Sequence, residues 1–337
     1  MAPPNKKKKT GDVGAVTQVV LKPISFATPG LAADISLKVF DQEFLVHSAL
    51  LKIHSKFFLK FLDSPDKIAA KTQDLGDIQY RWITKMDNDS NGWHLVAVPS
   101  NGDNDLSGYK GDSKHQERCF HKLICAIYTR PYVIYSFKCL QTLVELADYY
   151  RALPIVSRTL DSVLLNGDKR NICVREDCYD ILALAAKLRN KLLFREALIH
   201  IVGSTDEADS YEGSLEDPRL SKICRNARYE ILALVGQAYQ EILNLRDDTM
   251  AKEVSRIAKD ARDTSAGGDI YIPLYFKKLH YKGLINVADL MKNNLVLRRN
   301  EYDIEHDDNI HDDYPDSFFC GKIDDEDLPW DTTEQEW

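Results

Sequence analysis

The side chains in this chain best suited to chemistry are thiols, imidazoles and carboxylates, and their spacing matches none of the common reactions. Seven cysteines stand singly, at Cys119, Cys125, Cys139, Cys173, Cys178, Cys224 and Cys320. None belongs to a CxxC pair, so neither a zinc cage nor a disulfide framework is indicated. Several fall at apolar helical positions, where a reduced thiol acts as a small hydrophobe. That usage fits a reducing compartment, and an intracellular protein of nucleus or cytoplasm is expected. His306 and His311 lie among aspartates, but a metal site needs a rigid scaffold and a solvated acidic run supplies none. His47, inside an apolar run, reads as a core histidine bridging strand and helix. No GxSxG, no HExxH, no phosphate-cradling glycine loop and no paired-carboxylate scaffold occurs. Gly267-Gly268 lacks a preceding strand and reads as a helix break. The expectation is a protein that is not an enzyme and uses no metal or cofactor.

Charge is distributed unevenly. The net charge of −8 conceals fifteen Asp or Glu against one Lys from Glu301 to Trp337, while the preceding residues carry a slight positive excess. Such an acidic block with few branched aliphatics is expected to stay disordered. Within it, Ser317-Phe318-Phe319 and Asp327-Leu-Pro-Trp330 are aromatic islands. They read either as motifs for a partner's apolar groove or as segments folding back on this chain. At the other end, Lys6-Lys7-Lys8-Lys9 reads as a nuclear import signal or as a solvated terminus. The absence of a basic helix or zinc module makes direct nucleic-acid binding a poor fit. No apolar run approaches the roughly 18–20 residues that cross a bilayer, so a soluble protein without membrane contact is expected.

The elements that must position these groups follow from periodicity. Residues 1–30, with Pro23 and Pro29 as breakers, read as a flexible basic arm. Its apolar Val16, Val19, Val20, Leu21 and Ile24 could add a strand to a neighbouring subunit, or pack on nothing. Ile35, Leu37 and Val39 alternate with polar residues and predict a strand, with Glu43–Val46 returning as a hairpin. Ser48–Ile53 and Ser55–Leu62 predict short helices. The polar stretch 63–117 reads as an insertion containing a second hairpin, from Asp77–Thr84 and Trp93–Val98, and then a mobile loop over Pro99–Lys114. Stripes at i, i+3, i+4, i+7 follow at Phe120, Leu123, Ile124, Ile127 and at Leu140, Leu143, Val144, Ala147. Helices are predicted over Ile155–Leu165, Val174–Leu188, Leu192–Val202, Leu220–Leu245, Thr249–Asp263, Ile272–His280 and Val287–Leu297. Strands first and helices later point to α+β followed by an all-helical region.

Assembled, these motifs resemble the BTB/POZ family. The resemblance rests on Asp34-x-x-Leu37-x-Val39, Phe44-x-Val46-His47, Leu50-Leu51, Ser55-x-x-Phe58, Phe120-x-x-Leu123-x-x-x-Ile127-Tyr128-Thr129 and Leu143-x-x-x-Ala147-Asp148-x-Tyr150. Tyr80-x-Trp82-Ile-Thr84, Trp93-His94 and Ala147-Asp-Tyr-Tyr150-x-Ala-Leu-Pro154 are similar to the BTB proteins common in filamentous ascomycetes. The resemblance implies a BTB domain over 31–166 with an insertion at about 63–117, a helical BACK-like region over 167–300, and the acidic tail 301–337.

It also implies a function: an adaptor or scaffold for other proteins, capable of homodimerising through the BTB domain, with a cullin-type ubiquitin ligase as one candidate partner. The cullin surface would map to Phe120–Tyr132 with Phe57–Leu62, placing Phe57, Phe61, Phe120, Tyr128 and Tyr132 at interfaces. Asp34 falls on the family's buried acidic position. The basic residue that pairs with it in co-repressor-binding members is Ser48 here, so a local hydrogen bond is expected instead. Phe318, Phe319 and Trp330 complete the candidate interaction residues. The alternatives are a nuclear regulatory subunit of a transcription or chromatin complex, and a self-assembling structural protein.

Overall fold

Alternation of apolar and polar residues drives the two hairpins, and the structure joins them into one sheet. In the computed structural model, the described residues are 21–62, 78–97, 105–166, 172, 174–203, 214–262, 270–291, 295–297, 319–334 and 337. They form a mixed α+β protein with a five-stranded sheet and eleven α-helices. Strands β2 (Ile35–Val39) and β3 (Gln42–Val46) pair antiparallel, from Ile35 opposite Val46 to Val39 opposite Gln42. The turn between them is two residues, and Phe40 takes a left-handed φ of 50° there. Its ring is nevertheless buried, 5.3 Å from that of Trp93 and 4.8 Å from that of Tyr109. The strain of a bulky residue in this region is held by that packing and by a hydrogen bond from its amide to Thr84 Oγ1 (2.8 Å).

The second hairpin is no appendage. Strand β4 (Tyr80–Met86) runs parallel to β2, with Ile35 opposite Tyr80, and β5 (Trp93–Ala97) returns antiparallel beside it. The order is β1-β3-β2-β4-β5, so β4 is an interior strand, and Trp82, Ile83 and Thr84 are buried accordingly. The loop expected to be mobile is anchored over its described part: Tyr109 packs on Phe40, and Lys110 bonds Ser90 through its amide and the Asp89 carbonyl through Nζ. The arm also orders earlier than expected. Strand β1 (Ile24–Ser25) pairs parallel with β3 of the same chain, Ile24 lying opposite Phe44, and Phe26 is buried.

The chain folds as two compact units. One comprises residues 1–48 and 62–113 and holds the sheet; the other comprises 49–61 and 114–337 and holds the helices. The helices are α1 (Ser48–His54), α2 (Lys56–Leu62), α3 (Ser113–Ile127), α4 (Phe137–Tyr149), α5 (Leu153–Asn166), α6 (Cys178–Leu188), α7 (Lys191–Gly203), α8 (Pro218–Leu243), α9 (Asp248–Arg262), α10 (Ile272–Tyr281) and α11 (Ala288–Met291). Buried Asn190 illustrates how they lock together: its carbonyl oxygen caps α7 by accepting from the Leu193 amide (2.8 Å), while its Nδ2 donates to Asp161 and to the Ser157 carbonyl of α5. Among the described residues no helix is long and apolar enough to cross a membrane.

The acidic tail departs from the disorder expected of it. Residues 319–334 pack on the helical unit, with Phe319, Cys320, Ile323 and Leu328 buried. Average composition hid these spaced apolar anchors. Phe318 and Lys6–Lys9 lie outside the described residues, as do the expected helix beyond Met291 up to 294, His306 and His311.

Candidate functional site

Four helices end in the same device, and it shapes the surface of the helical unit. After α3, the Arg130 amide reaches the Cys125 carbonyl and the Thr129 amide that of Ala126. Residues 151–152 repeat the pattern on Ala147 and Asp148, 189–190 on Ala185 and Ala186, and 283–284 on Leu279 and His280. This is the Schellman closure, which requires a left-handed residue just past the helix. Gly283 supplies it freely, but Thr129 (φ 49°), Arg151 (φ 51°) and Arg189 (φ 51°) do so against their side-chain sterics. Each of these three strained residues lines a different cleft.

A cleft of about 780 Å³ lies between α2 and α4. Its floor is aromatic. Phe57 is 4.8 Å from Phe61, 5.2 Å from Tyr150 and 5.7 Å from Tyr149, centroid to centroid. Tyr150 in turn stacks parallel on Phe58 at 5.5 Å and meets Phe120 edge-on at 5.6 Å. Phe58, Phe120 and Tyr150 are buried foundations, while Phe57 and Phe61 are half-exposed and Tyr149 is 48% exposed. Charges frame the rings. Asp148 holds Lys187 (2.8 Å) and Arg151 (3.5 Å), Lys60 sits over the Phe61 ring, and Lys56 and Glu145 complete the rim. Rings anchored from below with a mixed polar rim are the composition of a protein-recognition hot spot.

A second cleft of about 510 Å³ lies between the segment after α3 and helix α5. Tyr132 reaches across it, its hydroxyl 3.0 Å from Thr159 Oγ1, which itself donates to the Ile155 carbonyl. Burial pushes the Tyr132 phenol up to about 12. Val133 stands 40% exposed beside it, and the Arg130 guanidinium lies over the Tyr128 ring.

The residues singled out from sequence therefore separate. Phe57 and Phe61 meet in the first cleft, and Tyr132 lines the second, with Tyr128 half-buried nearby. Phe120 is a correction: it is fully buried and supports Tyr150, so it offers no surface. Phe319 is another, being 2% exposed with its ring 6.0 Å from that of Phe276. Trp330 packs edge-on against Phe194 at 5.3 Å. Asp34 is half-buried, and its carboxylate accepts from the Ser48 amide (2.7 Å) and hydroxyl (2.5 Å). His47 Nε2 lies 3.1 Å from the Leu31 carbonyl.

Sequence reading missed Tyr149, Asp148, Arg151 and Lys187. Tyr149 carried a signal, because it falls on the opposite side of α4 from the Leu140–Leu143–Val144–Ala147 stripe and so had no core to enter.

Every described free cysteine is buried. Cys119 and Cys139 approach to 3.9 Å between sulfurs, and their shared hydrogen bond holds the proton on Cys119 while making Cys139 the readier to ionise. Among the described residues no three His, Cys, Asp or Glu side chains come together to hold a metal ion. No protein-family model and no curated protein matches the chain.

Proposed function

We propose that this chain is a non-enzymatic adaptor of the BTB/POZ kind, and that the cleft framed by Phe57, Phe61 and Tyr149 is where it grips a partner protein. The observation that carries the reading is the aromatic floor: half-exposed rings fixed on buried ones, within a rim of both charge signs. Such rings present rigid apolar area at little entropic cost, the property that makes aromatic residues binding anchors. The sheet supports the family resemblance. The first hairpin, the two short helices after it and the three helices from Ser113 to Asn166 follow in the order of the quoted motifs, while the second hairpin, expected as an insertion, joins the sheet through the parallel strand β4. A cullin is the partner class this reading favours first, since Phe57 and Phe61 lie in the region to which that surface maps.

The test is affinity purification of the full-length chain with cross-linking and mass spectrometry, beside a Tyr149→Ala variant. Tyr149 is half-exposed on a helix surface, so its truncation should leave the far-UV spectrum and melting temperature nearly unchanged. A hot-spot loss of about 2 kcal/mol should remove roughly 97% of binding to the principal partner at subsaturating concentration. Partner recovery that is indifferent to Tyr149→Ala and to Phe61→Ala would overturn the assignment.

A further inference from the structure

The described part of the tail is held in two distinct ways. Its first residues are stitched to remote backbone: the Phe319 amide bonds the Gly203 carbonyl (3.0 Å) and the Cys320 amide that of Leu290 (3.1 Å). The ring of Phe319 is buried beside Phe276, and a Cβ on Gly321 would press within 3.3 Å of Ile231. This anchor is part of the core.

Residues 324–334 are attached differently. Their backbone bonds are local, from the Asp327 amide to the Asp324 carbonyl and from the Leu328 amide to that of Asp325. What holds them down is side chains, among them the buried Leu328. Asp325 accepts from Lys191 (2.9 Å) and Arg195 (2.6 Å), Glu334 accepts from Arg189 (2.6 Å), and Trp330 caps the otherwise buried Phe194. The cations are partly exposed, at 23–41%, and their carboxylates more so, at 47–50%. Solvated ion pairs of this kind exchange partners at small cost. Trp330 lines one side of a cleft of about 720 Å³ that is also bordered by Tyr179, Lys187, Arg189 and Arg219.

We propose that residues 324–334 are a displaceable internal ligand. The surface beneath them, built from Arg189, Lys191, Phe194 and Arg195, is a recognition site for an acidic peptide segment of a partner protein that carries a tryptophan or similar aromatic about five residues after an acidic one. The tail displays the chemistry the site accepts, because an aspartate meets two cations and an indole meets the buried Phe194 ring edge-on. The cleft beside Trp330 offers a longer segment further surface, which is what lets it compete with a tethered rival. The cleft beside it shares Lys187 with the rim of the Phe57–Tyr149 cleft, but Arg189, Lys191, Phe194 and Arg195 take no part in that rim, and the proposal stands or falls independently of the adaptor reading.

The experiment uses the full chain and a fluorescent peptide of residues 323–337 as the probe, read by anisotropy. With the native tail in place the peptide should bind weakly. In an Asp325→Asn, Trp330→Ala variant the same peptide should bind at least tenfold more tightly, and adding Arg195→Glu should abolish that gain. Binding no tighter in the tail variant, or a gain that survives Arg195→Glu, would overturn the proposal. Should the variant unfold, hydrogen exchange of the wild-type chain decides. Amides of 325–334 should exchange through a local opening, at least a hundredfold faster than those of Phe319 and Cys320. Exchange of both groups at one rate would show the tail to be a single fixed element.

Discussion

Asp34 shows how one side chain can be reassigned by its neighbour. With Ser48 rather than a cation opposite, its carboxylate accepts two hydrogen bonds from that one residue, amide and hydroxyl together. Hydrogen bonds to a charged acceptor contribute about 1.5–3 kcal/mol. Asp34→Ala should therefore lower stability by roughly 2 kcal/mol in urea unfolding, and Asp34→Asn by less, because its carbonyl still accepts from the amide. Buried acids give a second residue-scale expectation. Cys224 is fully buried, and desolvation, helped by nearby Cys178, pushes its thiol from the usual 9 up to about 12. Burial does the same to Tyr132, from 10 to about 12. A pKa raised on folding gives stability that is complete below the unfolded value and is lost as pH climbs through the folded one. Stability should hold up to pH 9 and fall between pH 9 and 12. Cys224→Ala lacks one of these titrations, so its deficit against the natural protein should narrow steadily in unfolding curves taken from pH 9 to 11.

Among the elements, α8 carries the clearest unused opportunity. It runs for 26 residues with Cys224, Arg228, Ile231, Val235 and Ala238 turned inward. Gly236 lies on the outer side, and a Cβ built there meets nothing within 4 Å. Glycine in a helix interior costs about 0.5–1 kcal/mol relative to alanine, so Gly236→Ala should stabilise the protein by about that amount in thermal unfolding. The elements also show what could be read from sequence. Helices with stripes of the α3 and α4 kind were legible within a few residues because burial follows a 3.6-residue period. The first hairpin was legible because Ile35, Leu37 and Val39 alternate. Strand β1 was not, since two residues paired parallel with a strand twenty positions later leave no local pattern. The cleft on α2 and α4 was half legible: Phe57 and Phe61 could be picked out, but the partners that frame them lie about ninety residues away and meet them only through the fold.

Across the whole molecule, the backbone divides into two compact units that interleave along the chain. The chain begins in the sheet unit, passes through the helical unit for residues 49–61, returns for 62–113, and then stays with the helices. Composition could not reveal this, because α1 and α2 are as apolar as any strand-flanking helix and nothing local says which unit they join. The tail makes a similar point. Fifteen carboxylates dominate its average, while Phe319, Ile323, Leu328 and Trp330 decide where its end lies.

The parallel pairing of β2 with β4 bears on how the protein comes into being. The β2–β3 hairpin closes across two residues and can form as soon as it is synthesised, but Ile35 meets Tyr80 only after forty-five more positions have been made. Each doubling of a closed loop costs about 0.6 kcal/mol, so this closure carries an entropic penalty roughly 3 kcal/mol beyond the hairpin's. Until it happens, β2 presents a full row of unpaired amides and carbonyls along one side, flanked by Ile35, Leu37 and Val39. A bare, apolar strand edge is a template for pairing with other chains. A nascent polypeptide whose Val46 has emerged and whose Tyr80 has not therefore bears this open edge on the ribosome, and a translation pause in that stretch would lengthen its exposure.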